Sequence, residues 1–208
     1  MSRVLAVAGL APALARAYVF PVPTHVALLR AVNVGGTGKL PMADLRTLCA
    51  KAGFTDVRTY IQSGNVVFAS ALSAAAAKAK LEKALAAKLG KPCRVLLRSA
   101  DELERVITAN PFPEAAANQL VIVFLDAAPA RAAIEGWKIP GRERLALHGR
   151  ELYVHFPDGQ GQSKLKVPFA GEGTGRNLNT VRKLLEMARA SSVTATPRAR
   201  GAASRGSR

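Results

Sequence analysis

The stretch VRTYIQSGNVVF, residues 57–68, decides the fold because it predicts two short strands joined by a tight turn. Apolar and polar residues alternate over 57–61, as on a half-buried strand, and VVF at 66–68 predicts the returning strand. The Ser-Gly-Asn sequence between them, residues 63–65, has turn-forming chemistry. We therefore expect a β-hairpin, and the rest of the fold depends on what flanks it.

Each side of this hairpin carries a helix pattern and a further strand. Residues 25–33 (HVALLRAVN) form an apolar run of strand length, and a helix pattern follows that ends at Gly53. Beyond the hairpin, Ser73 can cap a helix that ends at Gly90, and CRVLLR at 93–98 predicts a closing strand. The order strand, helix, strand, strand, helix, strand predicts a ferredoxin-like plait, an antiparallel sheet with two helices on one face.

A second set of elements begins after a capping box at Ser99–Glu102. Its predicted elements are strands at 119–125, 143–148 and 151–156, and helices at 129–136 and 178–190. The glycine-rich passage PDGQGQSKL is expected to lead into a short helix. No fourth strand is evident, so the second plait is either incomplete or completed by the first half.

The fold class is therefore α+β, with two plait-like halves and two terminal segments. MSRVLAVAGLAPALARA resembles a weak signal peptide, but Pro12 interrupts its apolar run. We expect a loosely attached extension, with a start codon placed too far upstream as one explanation. The last segment lacks apolar periodicity, which predicts disorder. The predicted boundaries are 1–22, 23–99, 100–190 and 191–208.

The net charge is +16, from 30 basic and 14 acidic residues, and it bears on the class of partner. Such a balance favours nucleic acid or a small anionic metabolite as the partner, although a genome-wide bias towards Arg and Ala is the simpler explanation. Cys49 and Cys93 stand far apart and suit small buried hydrophobic positions in a reducing, cytoplasmic compartment.

The spacing of histidines and cysteines predicts no metal site, and we expect no cofactor. No segment has the length and apolarity of a membrane span, so no membrane partner is expected. Oligomeric state is left open.

Four stretches carry a family resemblance: HVALLRAVNVGG, KLPMADLRTLCAKAGFTDVRTYIQSGNVVF, LYVHFPDGQGQSKL and GRNLNTVRKLLEM. In this order they resemble the domain of unknown function 1697 family of bacterial proteins, over roughly residues 24–190. The resemblance implies two small α/β plaits and no established activity, cofactor or catalytic residue. This chain departs from the family at three positions. The family usually has Gly where this chain has Ala31, Ala where it has Gly175, and an aromatic residue where it has Leu178.

The first candidate site is the glycine loop NVGGTGK at 33–39. It is not a Walker loop, because Asn33 stands where a glycine is needed and Leu40 follows Lys39. Its backbone amides could still form an anion-binding nest, with Arg30 and Lys39 adding positive charge. A strand-to-helix turn that needs positive φ is the simpler interpretation.

Two further stretches have a functional and a structural interpretation each. Tyr60 could stack on a base beside the polar residues of the hairpin, although a polar turn explains the same residues. Ser163 and Lys164 could form a nucleophile and base, but neighbouring residues on a helix seldom meet, which favours Ser163 as an N-cap.

GEGTGRNLNT is the strongest candidate, because Thr174, Arg176 and the amides of a helix capped by Asn177 could hold a phosphate or carboxylate. A capped helix with an exposed arginine is the alternative. The hypothesis is therefore anion binding at these loops, in a cleft between the halves. The predicted ligand-binding residues are Arg30, Asn33, Gly35, Gly36, Lys39, Tyr60, Gln62, Ser63, Asn65, Ser163, Lys164, Thr174, Arg176 and Asn177.

Two rival classes of function remain open from the sequence. The first is an enzyme for a small phosphorylated or acylated substrate, in which Ser163 or Tyr60 takes part. The second is a protein–protein interaction module, which an exposed apolar sheet face would favour.

Overall fold

The computed structural model describes residues 22–33 and 40–190 of the chain. The N-terminal extension, most of the first glycine loop and the basic tail, all named from the sequence, lie outside these residues. The elements are β1 (Thr24–Leu29), α1 (Met42–Lys51), β2 (Thr55–Tyr60), β3 (Asn65–Ala69), α2 (Ala74–Leu89), β4 (Val95–Arg98), α3 (Ala100–Thr108), β5 (Leu120–Phe124), β6 (Arg144–His148), β7 (Glu151–His155), β8 (Thr174–Asn177) and α4 (Leu178–Arg189).

The first half forms the predicted antiparallel plait, with strand order β2-β3-β1-β4. Its helices end where the local signals place them. The hydroxyl of Ser73 accepts a hydrogen bond from the amide of Ala76, and Gly90 adopts the left-handed conformation after α2. Ser99 and Glu102 form the capping box that opens α3. The α+β fold class with antiparallel sheets is confirmed.

The second sheet repeats this topology, with strand order β6-β7-β5-β8. The fourth strand that the sequence did not reveal is β8, which lies inside the supposed glycine loop GEGTGRN. The predicted helix from Pro129 to Gly136 is reduced to a 3-10 helix at Arg131–Ile134. The short helix expected after PDGQGQSKL is a 3-10 turn within it, Gln160–Gln162, and it ends at Ser163.

The helices α3 and α4 lie between the two sheets and form the centre of the molecule. They pack on each other, and α4 also contacts β1, β3, β5 and β8. One apolar core joins them to both sheets, through residues such as Val26 and Ile122 on facing strands. A second core lies between the first sheet and the α1–α2 layer, and a third covers the outer face of the second sheet. Both sheets are thus covered on both faces.

The hairpin turn between β2 and β3 packs tightly against β1. Gly64 has a φ of 73°, in the left-handed region, and its carbonyl accepts a 2.8 Å hydrogen bond from the amide of Leu29. A Cβ atom on Gly64 would lie 2.9 Å from the Cβ of Leu29. Nearby Ala31 also has a positive φ, of 53°, which explains why the family resemblance implies glycine there.

Gly64→Ala is expected to lower the free energy of unfolding by about 3 kcal/mol, because alanine adds both backbone strain and a clash. Gly90→Ala is the matched control. Its φ is 68°, but no atom lies within 4 Å of an added Cβ, so only the strain of about 1 kcal/mol applies. Urea unfolding of both variants measures the difference, and equal losses would mean that the hairpin tolerates the clash.

Candidate functional site

Arg176 on β8 extends from the second half into the hairpin turn of the first half. Its Nε donates to Asn65 Oδ1 at 2.6 Å, and its Nη1 donates to Thr174 Oγ1 and to the Gly175 carbonyl, both at 2.8 Å. Its Nη2 donates to the carbonyl oxygens of Leu29 and Ser63, at 3.0 and 2.8 Å. All five N–H groups of the guanidinium are therefore occupied by the protein.

Arg176 is 8% exposed, and burial lowers its pKa to about 10. The group is still charged at neutral pH. Its side-chain hydrogen-bond partners are an amide and a hydroxyl, and the described residues place no carboxylate in contact with it. The structure therefore contains a buried cation whose solvation comes from carbonyl and amide oxygens.

Asn65 explains why an amide, and not a carboxylate, faces Arg176. Its Nδ2 group donates to the Tyr60 carbonyl at 3.0 Å and to Ser63 Oγ at 2.9 Å, while its Oδ1 accepts from Arg176. A carboxylate at this position would set an anionic oxygen against the Tyr60 carbonyl. The amide thus satisfies the hairpin turn and the arginine at once.

Arg98 on β4 extends in the opposite direction, from the first half into the second, and its side-chain partner is a carboxylate. Its Nε and Nη2 donate to Glu151 Oε1 on β7 at 2.9 and 2.7 Å, and Nη2 also donates to the Leu125 carbonyl at 2.8 Å. Its Nη1 donates to the carbonyl of the preceding residue, Leu97, as Arg176 does with Gly175. Arg98 is 2% exposed.

Strand register shows that the two arginines are equivalent. Arg98 pairs with Val26 of β1, and Arg176 pairs with Ile122 of β5. Their partners Glu151 and Asn65 are the first residues of β7 and β3. Each half therefore inserts an arginine from its last strand into the hairpin of the other half. We call Arg98 and Arg176 the reciprocal arginines.

The sequence did not predict this pair. Glu151 was not among the predicted site residues, but it is 9% exposed and bound to Arg98. Arg176 was expected either to bind a ligand or to be exposed, and it is buried. A sequence signal was present, since each arginine directly precedes the N-cap residue of a helix.

Asn33 is hydrogen-bonded to Leu40, and these two residues flank the first glycine loop. Its Oδ1 accepts from the amide of Leu40 at 2.8 Å, and its Nδ2 donates to the carbonyls of Leu40 and Gln62, at 3.0 and 2.7 Å. The Nε of Arg30 is buried, and no described residue accepts a hydrogen bond from it. Gly35, Gly36 and Lys39 lie outside the described residues.

Apart from Asn177, the remaining predicted residues form two groups that lie in different places. Tyr60, Gln62, Ser63, Asn65, Thr174 and Arg176 lie together around the hairpin turn, where Tyr60 is half-buried against the central core. Asn177 caps α4, and its Oδ1 accepts from the amide of Thr180 at 2.9 Å. Ser163 and Lys164 lie elsewhere, in a pocket of about 290 Å3 with Arg142 and Asp158.

Ser163 fixes the chain that leads away from this pocket. Its hydroxyl donates to the carboxylate of Glu143, and its oxygen accepts from the amide of Leu165 at 3.0 Å. The hydrogen bond to Ser163 is the main reason that the pKa of Glu143 is lowered. Ser163 therefore stabilises a turn. The sequence favoured Ser163 as the N-cap of a helix, and this prediction is wrong.

A basic pocket of about 410 Å3 lies beside Lys164, lined by Trp137, Lys138, Pro140, Lys164 and Lys166. We call it the Trp137 pocket. Trp137 is 38% exposed, and its indole Nε1 donates to the Lys166 carbonyl at 2.7 Å, which fixes the ring. The sequence analysis did not single out Trp137, although it is the only tryptophan and stands next to a lysine.

Comparison with known proteins agrees with the motifs described above. Residues 22–153 match the family described as protein of unknown function, DUF1697. The chain belongs to this family. The solved structure of the conserved bacterial protein SP0830 from Streptococcus pneumoniae is similar to this DUF1697 chain, with 27% sequence identity and a TM-score of 0.68. The match covers 80% of this chain and 99% of that one. No curated protein matches the chain.

Over residues 22–33 and 40–190, none of the helices is both long and apolar enough to cross a membrane. Over the same ranges, no group of three or more His, Cys, Asp or Glu side chains is placed to hold a metal ion.

Arg98→Met is expected to lower the free energy of unfolding by about 3–5 kcal/mol, because it leaves the Glu151 carboxylate buried and unpaired. The double variant Arg98→Met/Glu151→Leu should recover most of the loss, since an apolar pair replaces both charges. Denaturant unfolding measures both values.

Arg142→Met provides the matched control for this experiment. Arg142 pairs with Asp158 at the surface, where the side chains are 73% and 59% exposed, and we expect a change below about 1 kcal/mol. A double variant no more stable than Arg98→Met alone would show that Arg98 is not held in place by Glu151.

Proposed function

We propose that the protein binds single-stranded nucleic acid through the Trp137 pocket. The observation that carries the proposal is an accessible indole ring, held in one orientation and surrounded by lysines. This keeps the anion-binding hypothesis drawn from the sequence, and it keeps Lys164 as a contact. It moves the binding surface away from Arg176, which has no free donor.

The fixed indole suits stacking on a nucleobase. Because Nε1 already donates to the Lys166 carbonyl, the ring loses little additional conformational freedom when a ligand binds. Stacking of a base on an aromatic side chain contributes about 1–3 kcal/mol, and it tolerates any base because each has a π face. One tryptophan thus supports binding without strong sequence preference.

The lysines suit the phosphates that accompany such a base. Lys138, Lys164 and Lys166 line the pocket, and among its described lining residues there is no acidic side chain. No ion pair joins these three lysines to any carboxylate of residues 22–33 or 40–190. The net charge of +16 adds long-range attraction for a polyanion.

The rival functions find less support in the same contacts. The Ser163 side chain is bound to the carboxylate of Glu143 and the amide of Leu165, and among the described residues no hydrogen bond joins it to Lys164, the base that the sequence suggested. A protein–protein module would be favoured by an exposed apolar sheet face. Strands β3, β5 and β7 are instead buried along their whole length.

Binding is tested by titrating the protein with twelve-nucleotide oligo(dT) and oligo(U) and recording the fluorescence of its single tryptophan. We expect saturable quenching, because the stacked base contacts the indole. Anisotropy of a labelled oligonucleotide should show about tenfold weaker binding for Trp137→Leu. The logarithm of the binding constant should fall with the logarithm of salt concentration at a slope of about −2, for three lysines on a single strand.

The triple variant Lys138→Ala/Lys164→Ala/Lys166→Ala should lose most of the affinity. The matched control removes the same charge through alanine at Lys51, Lys80 and Lys91, which are exposed in the first half. Equal losses of affinity in the two triple variants would mean that net charge alone accounts for binding, and would contradict a defined binding surface. Quenching by anionic lipid vesicles without any response to oligonucleotides would replace nucleic acid by a membrane surface.

A further inference from the structure

A separate cavity of about 270 Å3 lies where the two halves meet, beside the first turn of α2. We call it the junction cavity. His25 of β1, Ala74, Ala75 and Lys78 of α2, and Arg150 of the second half all line it. It shares no residue with the Trp137 pocket, so the inference below does not depend on the proposed function.

His25 is the first sign that the junction cavity accepts a ligand. The side chain is 7% exposed, and its Nε2 is buried with no hydrogen-bond partner among the described residues. A buried polar atom without a partner costs free energy, so such atoms normally mark a missing ligand or water. Burial also lowers the pKa of His25, while the Leu72 carbonyl and the Glu102 carboxylate act in the opposite direction.

The N-terminus of α2 is the second sign. The first amides of a helix have no acceptor within the helix. Ser73 Oγ accepts from Ala76 at 3.3 Å, and the described residues provide no acceptor for the amides of Ala74 and Ala75. Both residues line the junction cavity. They offer two N–H donors at the positive end of a sixteen-residue helix.

The charged groups around the junction cavity are already balanced against one another. Lys78 pairs with Asp126 at 2.5 Å, and Arg150 pairs with Glu102. Arg98, which also lines the cavity, pairs with Glu151. The groups without a hydrogen-bond partner among the described residues are therefore one buried imidazole nitrogen and two amide donors on residues that are exposed to solvent.

We propose that the junction cavity binds the phosphate group of a small phosphorylated molecule, with the amides of Ala74 and Ala75 and the Nε2 of His25 as its direct contacts. A phosphate group carries acceptor oxygens for the amides. A protonated phosphate oxygen can also donate a hydrogen bond to the Nε2 of the neutral imidazole.

Inorganic phosphate is the probe, and sulfate is its comparison because sulfate has the same shape but no proton to share near neutral pH. The full chain, labelled with 15N, is titrated at pH 7.5 and 6.0. We expect phosphate to shift the ring nitrogens of His25 and the amide signals of Ala74 and Ala75 at both pH values. Sulfate should bind about tenfold more weakly than phosphate at pH 7.5, because it brings no proton to the imidazole, and the difference should narrow at pH 6.0 as the protonated fraction of His25 rises.

Two variants test the contacts separately. His25→Asn should weaken phosphate binding about tenfold, and the control His148→Asn should leave it unchanged, because His148 lines only the neighbouring cavity of about 220 Å3. Ala74→Pro removes one N–H donor at the first helical position, where proline is well tolerated. It should weaken binding roughly fivefold without loss of stability, even if His25→Asn fails to fold.

Three results would overturn the proposal. The first is phosphate binding without a shift of the His25 ring signals, which would place the anion elsewhere. The second is equal loss on His148→Asn, which would assign it to the neighbouring cavity. The third is unchanged affinity in Ala74→Pro, which would remove the helix amides from the site.

Discussion

Two buried guanidinium groups hold the halves of this molecule together. A cation taken out of water needs hydrogen-bond acceptors, and each of the reciprocal arginines finds part of them in the other half. Arg98 reaches Glu151 at the start of β7 and the Leu125 carbonyl. Arg176 reaches the hairpin turn before β3 and the Leu29 carbonyl at the end of β1. The guanidinium group is planar and rigid, and its N–H groups need acceptors in fixed directions. The contacts of the two arginines therefore restrict the relative position of the sheets more than apolar packing alone would.

The same constraint bears on where we propose that ligands bind. Around Arg176, the protein has already used the donors that a phosphate or carboxylate would need. The unsatisfied groups lie elsewhere, as lysines beside an accessible ring in one region and as helix amides with an imidazole in another. A conspicuous glycine-rich motif can thus serve the architecture, while the binding chemistry that we propose lies at other residues.

Local chemistry made much of the first half predictable. Caps at Ser73 and Ser99, a left-handed Gly90 and the Ser-Gly-Asn turn act within a few residues, so the sequence records them directly. Strand β8 escaped because its four residues lack apolar alternation and depend on pairing with β5, far away in the chain. The buried charges escaped for a similar reason. Only tertiary contacts distinguish Arg176 and Glu151 from surface residues, and nothing local marked Trp137 as part of a pocket.

The exchange of arginines also has a consequence for how the chain evolves and assembles. Because the arginine on the last strand of each sheet is hydrogen-bonded to residues of the other half, we expect neither plait to be stable alone. Expressed alone, each plait would expose its own buried arginine and the oxygens that accept hydrogen bonds from the arginine of the other plait. These groups would lie on an apolar face that α3 and α4 cover in the whole molecule. Recombination that moves one plait into another protein would therefore have to move both plaits. Substitutions at the contacts of one plait would require matching substitutions in the other.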